Sequence, residues 1–318
     1  VSRLRVWTIG GPATASTRLR IHQYLPRLEA DGVAVRVQAI PHGYVQRLIL
    51  RASLGRGDRL LVQKKLFAPR EVERLRARCS RLLYDVDDAV YLGGPRDAER
   101  FRAVTASADR VLAGNAVLAG AAARPERARV LPTPVDTERI RPSGRAEPGL
   151  VTWVGTRTNL PNLELVMEAF TRARVHAPRA RLVVMADRPP GRLPDGVEFA
   201  RWSVEAETAI LARAETGIMP LADTPFNRAK CGFKILLYQA AGLAVIASPV
   251  GLNRELVSPE EDGFLPDTEA AWEDAFTRLA TRPGLARGLG AAGRERVEAT
   301  HSVGVLYPRF RQALLEAP

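Results

Sequence analysis

The sequence predicts two doubly wound α/β units joined by a proline-rich stretch, and three observations carry that fold class. Short apolar runs of strand character alternate with helix-length segments whose apolar residues recur every three to four positions, the pattern of a parallel sheet covered on both faces. The alternation runs through the first 131 residues, stops, and restarts at Leu150. Between the two lies LPTPVDTERIRPSGRAEPG, with prolines at 132, 134, 142 and 148, a composition typical of a domain edge. A chain of 318 residues fits two such domains, drawn here as 1–142 and 143–302 with a closing segment 303–318.

The elements follow in order. Strands are expected at Leu4–Ile9, Val33–Ile40, Arg59–Val62, Arg81–Tyr84, Arg110–Leu112 and Arg129–Leu131. Helical spacing falls between them, as at Leu19–Leu28 and Val72–Ala77. In the second half the strands are Leu150–Gly155, Arg181–Ala186, Val197–Ala200, Gly217–Leu221, Ala244–Ala247 and Gly263–Leu265. Helices are expected at Asn162–His176, Glu205–Ala214, Lys230–Ala241, Asn253–Val257 and Glu269–Thr281. In doubly wound sheets ligands bind off the carboxyl ends of the strands, so the loops after strands should carry the chemistry.

Composition narrows the function classes. Two cysteines far apart, Cys79 and Cys231, give neither a disulfide framework nor a zinc-ligand spacing. The longest apolar stretch, around Gln239–Val250, is too short to span a bilayer, and the start has no signal-peptide pattern. The expectation is a soluble cytoplasmic protein, with room for a peripheral position at the inner face of a membrane. Net charge is +12, and all of it lies in residues 1–142, which hold 26 basic and 14 acidic residues. A one-sided positive field suits an anionic partner such as an anionic membrane surface or a phosphorylated substrate, and equally a solvated arginine-rich surface. No nucleic-acid module is present, so nucleic acid is not expected as a partner.

Several loops offer candidate chemistry. Gly10 and Gly11 follow the first strand, Ser16 or Thr17 could cap the next helix, and Arg18 and Arg20 near its start could hold an anion. After Arg81–Tyr84 come Asp85, Asp87 and Asp88, which read as metal ligands, as a helix cap, or as acceptor-side groups that orient a hydroxyl. In the second half, Gly155 and Thr156 precede a helix whose free N–H groups suit an anion, and Arg157 adds a charge. Trp202 follows a strand, where its ring could cover a base or simply pack.

The segment RAKCGFKILLYQAAGLAVIASPVGLNREL holds two of only four lysines in a chain with 43 arginines. Lys230 and Lys234, at i and i+4, would share a helical face near a helix start, where like charges repel each other and oppose the dipole. An anion between them resolves the conflict, and a diphosphate is the natural candidate.

That segment resembles the donor site of family-4, group 1 type glycosyltransferases with the GT-B fold, two Rossmann-like domains facing a central cleft. TGIMPLADTPFNRAKCGFK, GAAGRERVEATHS, RLLYDVDDAVYL, ADRVLAGNAVLA and VLPTPVDTERIRP extend the resemblance over nearly the whole chain. It implies a second domain that binds a nucleotide-diphosphate sugar as co-substrate, with no other cofactor and no metal, and a first domain that binds the acceptor. It further implies that Lys230 and Lys234 hold the diphosphate, that Trp202 lies near the base, and that Gly251, Leu252 and Asn253 border the donor. The helix near Val303–Leu315 would return to the first domain. On the residues themselves, Asp87 with Gly10, Gly11, Arg18 and Arg20 is read as acceptor-side, and Asp88 as a candidate catalytic group. The reaction implied is transfer to an acceptor hydroxyl (saccharide, lipid-linked or small-molecule) with retention of configuration.

One departure stands out. The group's Glu-x7-Glu motif has Ala229 at its first place and Leu237 at its second. By the resemblance these glutamates hold donor sugar and ribose. Gln239 or Glu255 replaces them, or the donor differs, or catalysis is lost; the last outcome would leave a non-catalytic sugar-nucleotide-binding or scaffolding protein.

Overall fold

The computed structural model describes residues 3–315, apart from the side chain of Tyr44. The last three residues of the expected closing segment lie outside this range. The chain forms two compact units: Val1–Pro134 with Ala229–Cys231 and Val303–Pro318, and Val135–Arg228 with Gly232–Ser302.

Unit 1 is built on strands β1 (Leu4–Thr8), β2 (Val35–Ala39), β3 (Arg59–Gln63), β4 (Arg81–Val86), β5 (Arg110–Ala113) and β6 (Ala128–Val130). They form one sheet in the order β2-β1-β3-β4-β5-β6, parallel throughout. Its helices are α1 (Ala15–Arg20), α2 (Leu25–Ala30), α3 (Tyr44–Ala52), α4 (Pro69–Arg76), α5 (Pro95–Ser107) and α6 (Ala116–Ala121). Both faces are covered, so strands such as β1 and β4 are buried along their whole length. One face packs Trp7, Leu60, Val62, Leu82 and Tyr84 against Phe101 and Leu118. The other packs Leu4, Val6, Leu61, Leu83 and Leu112 against Tyr24, Leu28 and the end of the chain.

Unit 2 holds β7 (Leu150–Val154), β8 (Arg181–Ala186), β9 (Val197–Arg201), β10 (Thr216–Met219), β11 (Ala244–Ala247) and β12 (Gly263–Phe264), in the order β12-β11-β10-β7-β8-β9 and again parallel. Its helices are α7 (Leu160–Glu164), α8 (Met167–His176), α9 (Val204–Arg213), α10 (Pro225–Arg228), α11 (Phe233–Ala240), α12 (Asn253–Leu256), α13 (Glu269–Thr281) and α14 (Leu285–His301). The last helix, α15 (Val303–Leu315), is part of unit 1. There Phe310 stacks on Tyr24 with ring centres 4.1 Å apart, and the Tyr307 hydroxyl donates to Arg27 O at 2.9 Å and Asp31 Oδ2 at 2.7 Å.

Three expected helices are corrected. Leu19–Leu28 is broken into α1, a 3-10 turn at His22–Tyr24, and α2. Pro26 has no N–H to donate back along a continuous helix, so it stands in the first turn of a new one. Asn162–His176 is split at Val166, whose backbone leaves helical geometry. The helix expected from Lys230 begins at Phe233, because Gly232 adopts a left-handed conformation (φ 63°) that a right-handed helix cannot include. The strand expected to reach Leu221 stops at Met219, ahead of Pro220.

Candidate functional site

In each sheet, strand order reverses once, at β1/β3 in unit 1 and at β7/β10 in unit 2. Crevices outside the carboxyl ends of strands at such points bind ligands in open α/β sheets.

In unit 1 that position holds a charged cluster. Lys64 is the first residue past β3, Asp87 and Asp88 are the first two past β4, and Ser16 sits in α1, which follows β1. The Lys64 ammonium lies 3.0 Å from Asp87 Oδ1 and also donates to Asp88, while the Ser16 hydroxyl donates to Asp87. Lys64 adopts φ 58°, rare for a residue with a side chain and costing on the order of 1–3 kcal/mol. Its N–H donates to Asp85 O at 2.7 Å, and the ion pairs hold its side chain. Burial alone would raise the Asp87 carboxyl, but Lys64, then Arg20 and the Ser16 hydroxyl, outweigh it and hold the group below the usual aspartate range. Lys64 is the counterpart: burial opposes its charge, and Asp87 and Asp88 more than compensate, so its proton is held more tightly than usual.

Lys230 joins this cluster from far along the chain. Residues 229–231 lie in unit 1, with Ala229 wholly buried and the Cys231 thiol donating to Asp87 O at 3.2 Å. Lys230 is half-buried, and burial lowers its proton affinity, partly offset by Asp88 and reinforced by Lys64. It is therefore not on a helical face shared with Lys234, as the sequence spacing suggested, but in the non-helical stretch between α10 and α11, ahead of Gly232.

Other unit 1 candidates separate from this cluster. Arg20 is 1% exposed, donates to Asp85 at 2.5 Å and to Leu131 O at 2.6 Å, and cannot meet an acceptor. Asp85 lies inside β4 and is wholly buried, so it is neither a cap nor a ligand. Arg18 and Arg20 fall in the last turn of α1 and not near its start. The expected capping role of Ser16 or Thr17 is not observed: Ser16 reaches Asp87 and the Thr17 hydroxyl donates to Gln63 Oε1 at 2.9 Å. Gly10 accepts from the Thr8 hydroxyl at its carbonyl, and Gly11 has open space where a Cβ would stand. Among the described residues no group of three or more His, Cys, Asp or Glu is arranged to hold a metal ion.

In unit 2, candidate residues gather at the end of β7. The Trp153 ring lies beneath the loop that follows, and a Cβ on Gly155 would come 2.2 Å from that ring. Only glycine leaves the ring its place. The Lys234 ammonium stands 5.1 Å from the Trp153 ring centre, a cation–π distance. The Tyr238 hydroxyl, one helical turn further along α11, accepts from Val154 N at 2.9 Å. Thr156 bonds Thr158 and Asn159, and the Arg157 amide donates to Asp187 Oδ1 at 2.7 Å, so one of the expected anion-binding N–H groups is already satisfied.

The remaining unit 2 candidates divide. Gly251 has φ 53°, and a Cβ there would lie 2.3 Å from Arg228 O, so this turn requires glycine. Asn253 is buried and donates to Ser248 O at 2.9 Å; it shapes the turn from inside. Leu252 is half-buried against the core, and Glu255 is exposed in α12. The Trp202 ring packs partly on the core, and its N–H donates to Glu207 Oε2 at 2.9 Å. Gln239 cannot replace a missing glutamate: it is 1% exposed and donates to Leu256 O at 2.9 Å. Leu237 and Ala229 are both buried in apolar surroundings.

Sequence reasoning missed Lys64 and the link from Ser16 to Asp87. The signal for Lys64 was present, since it is one of four lysines in an arginine-rich chain. Its partners were not, because they follow a different strand.

Residues 148–282 match the family described as Glycosyl transferases group 1. No curated protein sequence matches the chain significantly. Among solved structures, Anabaena HepE in complex with UDP and glucose is similar over 100% of both chains at 14% identity, with a TM-score of 0.74. Sucrose-phosphate synthase from Thermosynechococcus elongatus is similar over 98% of both chains at 20% identity, with a TM-score of 0.73. TarM is similar over 82% of this chain and 55% of its own at 9% identity, with a TM-score of 0.65. Residues 148–282 are thus similar to the group 1 glycosyltransferases, and the two-sheet α/β architecture of the whole chain is the GT-B fold.

Proposed function

We propose that the protein transfers a sugar from a nucleotide-diphosphate donor to an acceptor hydroxyl. The observation that carries this reading is Lys234 held over Trp153 beside the carboxyl end of β7, within the matched segment. A cation fixed there can stabilise the charge that grows on the donor diphosphate as its bond to the sugar breaks. Lys230 supplies the second positive charge, and its lowered proton affinity reflects a desolvated ammonium that an anion would favour. In this reading the lysines do the work that a metal does in other sugar transferases, and configuration is retained. The unit 1 cluster of Ser16, Lys64, Asp87 and Asp88 faces the acceptor, and Asp88, one-third exposed, is the carboxylate open to an incoming hydroxyl. UDP leads among the donor nucleotides, because HepE, similar in fold, was solved with UDP-glucose. The basic first half favours an anionic or membrane-associated acceptor, and no helix among the described residues is long and apolar enough to cross a membrane.

The test is a thermal shift with UDP, GDP, dTDP and ADP on wild type, Lys230→Ala and Lys234→Ala. A diphosphate at about a hundred times its Kd stabilises by roughly 2.7 kcal/mol. One nucleotide should shift the wild type strongly and the variants little; no shift with any of them overturns the reading. A second reading, a sugar-nucleotide-binding protein without turnover, draws on the buried Ala229 and Leu237 where the motif has glutamates. Release of nucleoside diphosphate from a donor sugar separates the two, and the anomeric configuration of the product, read by NMR, tests retention.

A further inference from the structure

Three consecutive residues from late in the chain, Ala229, Lys230 and Cys231, are seated in unit 1 by the Asn115 amide together with the Cys231 contact to Asp87 O. Asn115 stands between β5 and α6 and is 4% exposed. Its Oδ1 accepts from Leu118 N at 2.9 Å, which caps α6 and fixes the direction of the amide. Its Nδ2 then donates to Ala229 O at 2.8 Å and lies 3.3 Å from Lys230 O and 3.5 Å from Cys231 Sγ. The preceding residue leaves room for this seat, since a Cβ on Gly114 would come 2.3 Å from Cys231 Sγ. Ala229 and Cys231 are buried, so of the three only the Lys230 side chain retains substantial exposure. Helical geometry does not orient that lysine, because Gly232 starts the helix after it.

We propose that Asn115 is a positioning residue for Lys230, setting where its ammonium stands relative to Asp87, Asp88 and Lys64 and thereby the affinity for the donor diphosphate. The inference rests on the donor reading above. An amide is required because one side chain must accept from a helix N–H and donate to a carbonyl at once, and Asn does both. Asn115→Asp keeps the cap acceptor and loses the donor, which separates helix capping from positioning.

The experiment measures donor kcat/KM, together with Kd for whichever of UDP, GDP, dTDP and ADP stabilises the wild type most. The variants are Asn115→Asp, Lys230→Ala and the double variant. Misplacing a group by about 1 Å costs up to roughly a hundredfold, so Asn115→Asp should lose about ten- to a hundredfold, chiefly in donor KM and Kd. In the double variant the loss should not exceed that of Lys230→Ala alone, because residues acting as one unit are non-additive. A second route avoids the cap altogether: Gly114→Ala should weaken the same Kd by pushing on Cys231, and adding Cys231→Ala should restore it. Multiplying losses, an unchanged Kd in Asn115→Asp, or no rescue of Gly114→Ala each overturns the positioning role and leaves the donor reading intact. An unchanged Kd in Lys230→Ala overturns the donor role of Lys230, and the positioning role with it.

Discussion

Lys234 carries its ammonium 5.1 Å from the centre of the Trp153 ring, and that ring fills the space a side chain at position 155 would need. Cation, ring and glycine are thus one device. Gly155→Ala should displace Trp153 and with it Lys234, at a stability cost of about 1–3 kcal/mol typical of overpacking. Nucleoside diphosphate affinity should fall in parallel, as calorimetric titration would show. An alanine variant with wild-type affinity would mean that Lys234 reaches its ligand without the ring.

Arg20 and Asp85 form an ion pair at 2.5 Å with side chains 1% and 0% exposed. Burial opposes both charges: Asp85 more than offsets it at the guanidinium, whereas at the Asp85 carboxyl burial outweighs Arg20 and lifts the group above the ordinary aspartate value. Arg20→Ala leaves a buried carboxylate without its partner and should cost about 3–5 kcal/mol in urea denaturation. Arg20→Met with Asp85→Leu should recover most of that loss. Donor affinity should hardly change in folded protein, since the pair lies inside unit 1 and not at the ligand.

Placing glutamates at positions 229 and 237 should fail. Ala229 is 0% exposed and Leu237 is 2% exposed, each within an apolar cluster. Ala229→Glu and Leu237→Glu would each bury a carboxylate in an apolar cluster, a change among the most destabilising a core position can suffer. Melting temperatures should drop in both, with no gain in turnover. A stable, faster Leu237→Glu would show that the helix can rotate that position towards the ligand.

The unit 1 cluster sets a pH dependence whose sign can be worked out. Asp87 is held below its ordinary value of 3.8, so its contribution to stability is complete above that value and is lost as pH falls towards the folded one. Lys64 is held above its ordinary 10.5, so its contribution is complete below that value and is lost only as pH rises through the folded one. Between these limits the Asp87–Lys64 pair should be insensitive to pH. Asp87→Asn should flatten the fall in stability below about pH 4, measured by urea midpoints across an acid series.

Much of this was legible from period and punctuation. Buried parallel strands such as Arg181–Ala186 and Ala244–Ala247 show as unbroken apolar runs, and their observed bounds coincide with those read from the sequence. Helix continuity was less legible where one residue decides it: Pro26 and Gly232 each end an otherwise persuasive helical spacing. The candidate site was legible only within single loops. Spacing brought Lys230 towards Lys234, whereas the tertiary fold seats Lys230 beside Asp87 and Asp88, which stand more than a hundred residues earlier. Charge alone could not separate Arg20, consumed by Asp85, from a residue left for a ligand.

The stacking of Phe310 on Tyr24, with Leu306 and Leu314 beside them, has a temporal side. A ribosome makes the chain from its amino end, so the first sheet emerges with one flank bare of its closing helix. All the residues of the other sheet are synthesised before that flank can be covered. The nascent amino-terminal half must wait, exposing Tyr24 and Leu28 to chaperones or to other growing chains. The order of completion is thus opposite to the order of synthesis, and Phe310→Ala would weaken the cover once it arrives.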